Sequence, residues 1–567
     1  MKLPKLPLGL FVLSVLLITL VWWTLGRPVP MPALSGDKVA LPCLSYAPFR
    51  GDQSPLVGNV QIERAQIAED LEHLATRTPC IRTYGVNHGT HVVPELAKAA
   101  GLKVMLGIWL GADPASNREQ IATATDLARR YPEVLSAVVV GNEVLLRGEM
   151  TPPALGAALR EVRAAVPAAV PVTYADVPEF WLRHPELAEA VDFITIHLLP
   201  YWEDFPTPVA AAVAHAEASR QKILAAFPGK RVFVGEIGWP SAGRMRAGAL
   251  PSRVNQARFF HEVMALAERE QFGVNLIEAF DQPWKRQREG TVGGYWGLFD
   301  ATAREAKFAW GRPVSNHPFW AWQAGLGVLL ASLTFLAAAW SARRSGGAKC
   351  SLWLGVAVIA LVSGSTIGWA VEAMWVESLG LAGWLRSAGW VAVAALAPVA
   401  GAALLLAGQG VPPLYRVLGP TTAWPRDRRA LATGLILAGL LVLAIQTALM
   451  LVFDPRYVDF PFAGLIGALM PFVVLALVPI KEMIAGGLTS PPEPTAGDEM
   501  TSTGSTAGGG GSGLIRPPAE KTAAVILALA AVYILLAEGF ANWQALSYSV
   551  ALCVLALTLI RGRAEPD

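Results

Sequence analysis

The sequence predicts an α/β fold, a (β/α)8 TIM barrel, followed by an all-α domain of membrane-spanning helices. Three observations carry this expectation. Between residues 41 and 307, short apolar strand-like runs alternate with helix-like segments eight times, a pattern that calls for a parallel sheet of barrel size. After Trp310 the alternation stops, and apolar runs of roughly bilayer-crossing length take over. Composition agrees: the 567 residues are 53% hydrophobic and only 16% charged, too long for one ordinary core and too apolar for a fully soluble chain.

Taken in order, Lys2 and Lys5 precede an apolar run over 8–25 that ends beside Trp22 and Trp23. The run is longer than the core of a cleaved signal peptide, so an uncleaved anchor is expected over 1–27, with the lysines inside. The exported barrel is expected over 28–318. Its strands fall at 41–47, 80–84, 103–109, 135–142, 172–176, 193–198, 231–236 and 274–280. Helices are expected over 62–76, 93–100, 118–130, 153–166, 209–226 and 253–269, with a short one over 185–190; Thr151 is placed to cap the fourth. An open doubly wound sheet is the structural alternative, but the Gly-rich phosphate turn of its dinucleotide-binding form is missing after strand one. Cys43 and Cys80 open adjacent strands, which suits a bridge and a pair of buried thiols equally well. No CxxC or HExxH pattern occurs, so no metal and no cofactor is expected. The net charge of +2 gives no argument for a nucleic-acid partner.

In the C-terminal half, spans are expected at 321–340, 352–371, 390–406, 430–453, 463–480, 523–536 and 541–559, which with the anchor makes eight. Helices two to six would occupy 319–482, and helices seven and eight 522–567. A Gly/Ser/Thr/Pro-rich linker over 483–521 separates them. Arg343, Arg344, Lys349, Arg416, Arg426, Arg428, Arg429, Lys481, Arg516, Lys521, Arg561 and Arg563 all fall on the side of the N-terminal lysines. The opposite gaps carry mainly acids. This distribution predicts cytoplasmic termini and an external barrel, with the lipid bilayer as a partner.

Barrel chemistry sits where strands end, and two strand ends stand out. VVVGNEVL delivers Asn142 and Glu143 after strand four, and VFVGEIGWPS delivers Glu236 after strand seven. Paired carboxylates facing one cleft are the machinery of glycosidic-bond chemistry. The other strand ends carry Tyr46, Arg82, Tyr84, Trp109, His197, Tyr201, Trp202, Trp239, Glu278, Asp281, Trp284 and Lys285. Aromatic faces beside hydrogen-bonding groups match a sugar, whose rings present apolar C–H faces and a rim of hydroxyls. Any one of these aromatics taken alone is the more ordinary packing residue.

VVVGNE, VGEIGWPS and FDQPWK followed by YWGLFD resemble, in order and spacing, the motifs of glycoside hydrolase family 17, the β-1,3-glucanase family; SYAPFRG and IRTYG fit its bacterial, membrane-anchored branch. The resemblance covers about residues 40–310. It implies Glu143 as acid/base, Glu236 as nucleophile, Asn142 against the sugar, and Asp281, Trp284 and Lys285 near the substrate. It further implies a retaining mechanism, with Glu143 protonated at rest and Glu236 ionised. The expected activity is β-glucan transglycosylation in periplasmic or exported glucan assembly at a bacterial inner membrane. The alternatives are a β-1,3-glucanase and a non-enzymatic glucan-binding or export subunit. A β-glucan oligo- or polysaccharide is the expected partner. The short membrane loops have no room for a nucleotide-sugar synthase domain, which leaves polymerisation to a separate membrane glucan synthase as a further candidate partner.

Overall fold

The computed structural model describes residues 5–33, 41–345, 349–478 and 518–561. It divides into two compact units, Pro28–Asn316 and a second formed by Met1–Arg27 with His317–Asp567.

In the first unit eight parallel strands close in sequence order: β1 Cys43–Ser45, β2 Cys80–Arg82, β3 Lys103–Ile108, β4 Leu135–Asn142, β5 Val172–Asp176, β6 Ile194–Leu198, β7 Val232–Ile237 and β8 Val274–Leu276. Strand side chains alternate between two faces. Leu44, Ile81, Val104, Val138, Val172, Ile194 and Val234 pack in the large core with residues of the helices. Cys43, Met105, Ala137, Val139, Ala175 and Phe193 form a separate small core that plugs the barrel interior. Cys43 and Cys80 are joined by a disulfide there, which resolves the two alternatives left by the sequence.

Strands β1, β2 and β8 are shorter than expected. The segment after β8 keeps only single bonds to its neighbours, Ile277 N to Ile237 O at 3.0 Å and Ala279 N to Ser45 O at 2.9 Å, and pairs also with the closing segment: Leu298 N donates to Glu278 O at 2.8 Å, and Phe299 N to Ala279 O at 2.9 Å. The third helix begins early, at Pro114–Arg130, because Asp113 accepts from Ala115 N and Ser116 N as its cap. Thr151 occupies the cap position of Pro152–Ala165 but its hydroxyl makes no capping bond. A short helix at Pro178–Arg183 was not expected.

The second unit contains seven helices long and apolar enough to cross a membrane among the described residues: Lys5–Leu25, Trp320–Arg344, Cys350–Glu377, Gly380–Leu406, Arg428–Phe453, Pro518–Glu538 and Trp543–Arg561. The expected span at 463–480 is the shorter helix Phe462–Leu477, 16 residues. Small residues let these helices approach: a Cβ on Gly327 would lie 2.2 Å from Gly364 O. Of the expected linker, residues 483–517 lie outside the described residues, and Pro518–Glu520 open a helix rather than close a linker.

Candidate active site

At the C-terminal ends of the strands, polar side chains continue the inward-facing column above the apolar plug. Arg82 at the end of β2 is buried and crosses the barrel. Its guanidinium donates to Gly235 O at 2.6 Å and to Asn142 Oδ1 at 2.7 Å, and lies 3.5 Å from Glu236 Oε1. Gly235 has no side chain where Arg82 passes; a Cβ there would lie 3.0 Å from Nη1 and 2.3 Å from Thr195. A donor chain runs from Asn275 Nδ2 to Ser45 Oγ at 2.7 Å, on to Tyr84 Oη at 2.8 Å, and to Glu236 Oε1 at 2.8 Å. Glu236 is thus fixed by a phenol donor with a guanidinium beside it.

His197 at the end of β6 joins the two carboxylates. Its Nδ1 lies 2.8 Å from Glu143 Oε1 and its Nε2 3.6 Å from Glu236 Oε1. Arg82 Nη1 sits 3.1 Å from Nε2. Because Arg82 can only donate, Nε2 accepts, and the proton belongs on Nδ1, facing Glu143. A ligand atom of each of Glu143, His197 and Glu236 lies within 4.8 Å of the others. These three alone among the described residues are near enough to hold a metal ion in this way. Both imidazole nitrogens are already engaged, so a cation would have to displace a hydrogen bond. For two carboxylates, the same spacing is closer to the ~5–5.5 Å of direct displacement than to the ~6.5–9.5 Å that admits a water.

Glu143 sits in the left-handed region, φ 53°, just past Gly141 at φ 86°. The turn is held from below: Glu143 N donates to Ala175 O at 2.8 Å, Leu145 N to Tyr174 Oη at 3.1 Å, and Tyr174 donates in turn to Asp176. Burial pushes Asp176 up to about 6, against the pull of Tyr174. Burial also pushes Glu143 up, but the His197 hydrogen bond, with the charges of Arg147 and Arg82, outweighs it and holds the carboxyl below its ordinary value. The imidazole N–H thus favours the ionised form of Glu143, the opposite direction to the protonated acid that the resemblance implies.

Of the other expected contacts, Trp202, Trp284 and Lys285 are partly exposed. Trp202 stacks on Trp296, centroids 6.3 Å apart and planes 18° apart. Lys285 Nζ reaches Glu278 Oε1 at 2.9 Å. Burial lifts Glu278 to about 7 despite that pairing. Four expected contacts belong to the packing instead. Tyr46 is 1% exposed and donates to Asp70 on the helix Arg64–Ala75. Tyr201 is equally buried and donates to Arg244 O, and Trp239 is wholly buried and donates to Leu250 O. Asp281 pairs with Lys307 at 2.6 Å and accepts from Gly297 N; its burial raises it to about 6. The sequence analysis missed Ser45, Asn275, Trp296 and Arg147. The signal for Asn275 was present: a lone polar residue at an inward position of an apolar strand.

A closed parallel barrel with two glutamates converging over its C-terminal mouth defines a glycoside-hydrolase type of enzyme. Residues 43–297 match the family model of the BtgE/BtgC glycoside hydrolase domain. A glucan 1,3-beta-glucosidase of Arthroderma benhamiae is 27% identical over 274 residues, 43% of this chain and 84% of that protein. A probable family 17 glucosidase of Saccharomyces cerevisiae is 29% identical over 238 residues, 41% of this chain and 60% of that one. A crystal structure of a family 17 β-1,3-glucanosyltransferase from Rhizomucor miehei superposes with a TM-score of 0.42 at 23% identity, over 47% of this chain and 96% of that chain. Residues 43–297 are thus similar to glycoside hydrolases of family 17. These matches leave more than half of the chain, including the helical unit, without a counterpart.

Proposed function

We propose that the barrel is a retaining β-1,3-glucan transglycosylase, with Glu236 as nucleophile and Glu143 as acid/base. The observation that carries this reading is the approach of the two carboxylates to within 4.8 Å around one imidazole. In the fraction of molecules with Glu143 protonated, Glu236 Oε1, held by Tyr84, attacks the anomeric carbon, and the bond to the leaving oxygen breaks as Glu143 gives up its proton to that oxygen. A glycosyl ester remains on Glu236. Glu143, now ionised, takes the proton of an incoming hydroxyl, which attacks the same carbon and releases Glu236. The glucan 1,3-beta-glucosidase names of the relatives support the substrate. The Cys43–Cys80 bridge supports an oxidising compartment, and with the basic residues of the helical unit it favours an exported barrel at a bacterial inner membrane. Tethering would keep the enzyme close to newly exported chains from a separate membrane glucan synthase.

The test uses the full chain in detergent with laminari-oligosaccharides, read by mass spectrometry. Products longer than the substrate are expected. Only shorter ones would make it a β-1,3-glucanase. Glu236→Gln is expected to slow turnover by about a thousandfold or more, the scale of losing a covalent route and its charge. An unchanged rate in that variant would remove Glu236 from the chemistry.

A further inference from the structure

We infer that Trp109 is the platform for the sugar on the acid/base side of the cleft, the ring that leaves in the first step and the acceptor that enters in the second. This rests on Glu143 being the acid/base. In a double displacement the acid/base must touch the leaving oxygen and then the incoming hydroxyl. Side chains gathered around Glu143, rather than around Glu236, therefore face that sugar.

Trp109 directly follows β3, the neighbour of β4, where Ile108 pairs with Val140. It is 40% exposed, unlike Tyr46, Tyr201 and Trp239, which lie at or below 1%. One face of its indole is covered: the Arg147 guanidinium sits 4.4 Å from the ring centroid. That guanidinium is itself immobilised. It donates to Asn142 O, to Leu110 O at 2.8 Å and to Glu149 Oε2 at 2.7 Å. Arg147 therefore ties the Trp109 ring to the backbone that carries Asn142 and Glu143, and its charge is one of those that lower Glu143.

A partly exposed aromatic ring with a guanidinium held over it suits stacking on a pyranose, because little side-chain freedom remains to be lost on binding. β-Glucose carries all its ring hydroxyls equatorially and so offers a flat C–H face; the carboxylate of Glu149 is placed to accept from the hydroxyl rim. The ligand class is a β-glucopyranosyl ring.

The experiment compares wild type, Trp109→Ala and Trp109→Phe as full chains in detergent, on laminarihexaose and on β-laminaribiosyl fluoride. Every cleavage of the hexaose places a sugar next to the leaving oxygen, whereas fluoride is too small to reach the indole. In Trp109→Ala the ratio of kcat/KM for the hexaose to that for the fluoride is expected to fall about tenfold, the scale of one lost aromatic stack. Trp109→Phe restores most of that ratio. Where wild type also makes longer products, the KM for an added acceptor rises by a similar factor in Trp109→Ala. A folded Trp109→Ala with the wild-type ratio overturns the assignment. Wild type that cleaves the hexaose without ever lengthening it overturns transglycosylation alone, since the ratio still tests Trp109. Wild type that turns over neither substrate overturns both.

Discussion

His197 governs more of the site than its silent place in the sequence suggests. Its Nδ1–H holds Glu143 in the ionised form, whereas burial alone would favour the protonated acid. Removing the imidazole leaves the upward push of burial with fewer opponents. In His197→Ala the Glu143 pKa rises, and with Glu143 as the proposed acid the alkaline limb of kcat/KM moves up. A pH–rate profile of the variant checks this; a limb that stays in place or moves down would show that His197 does not set the proton on Glu143. The two glutamates were readable because each follows a Gly at the end of an apolar run. Their orientation was not. Pairing shifts register between Val139 and Asn142 in β4, and between Ile196 and His197 against β7. These irregularities, which turn the strand ends, leave no mark in apolar periodicity. Tyr46 shows the converse. Ser45 points inward, so strict alternation sends Tyr46 outward to Asp70, and period two alone would have excluded it from the cleft.

At the scale of elements, the barrel wall is secured where it is thinnest. Strands β1 and β2 have three residues each, too few for their own ladder to resist opening. The Cys43–Cys80 bridge spans a separation of 37 residues and ties them at the base. Cys43→Ala with Cys80→Ala is expected to lower barrel stability by about 2–4 kcal/mol, the usual worth of a bridge closing a loop of that size. A denaturation midpoint measured for the double variant, and for wild type with and without reductant, checks it; coincident curves would make the bridge incidental. The bridge lies within the apolar plug at the start of β1 and β2, and neither cysteine bonds Glu143 or Glu236, so kcat of the folded variant should stay near that of wild type. Element boundaries were legible where a strand stays in the ladder along its whole length, as for β4 and β5. They were not where the chain keeps only single bonds to its neighbours, as after β8, where residues 278–280 pair also with 296–299. That choice depends on a segment about twenty residues further along and not on local propensity.

At the scale of the whole molecule, the change from alternating strands and helices to long apolar runs was plain in the sequence, because burying backbone in a bilayer demands uninterrupted helices. The count of spans was less plain: Phe462–Leu477 is apolar throughout but has only 16 residues with Pro471 inside, short of the ~20 that a bilayer core requires. Topology remains a matter of charge and connectivity. The helix Lys5–Leu25 ends, and Trp320–Arg344 begins, at one end of the helical unit, since a Cβ on Gly26 would fall within the Trp320 side chain. Arg343, Arg344 and Lys349 stand at the other end of that second helix, and the positive-inside rule assigns this end to the cytoplasm. Cys350 opens the next helix there as an exposed free thiol, whereas Cys553 is partly buried and Cys43 and Cys80 are bridged. A membrane-impermeant maleimide applied to intact cells should accordingly leave the protein unlabelled, and opening the cells should expose Cys350 to modification. Modification of Cys350 in sealed cells would invert the helical unit and place the barrel, with its paired glutamates, on the cytoplasmic side, where an exported glucan could not reach it.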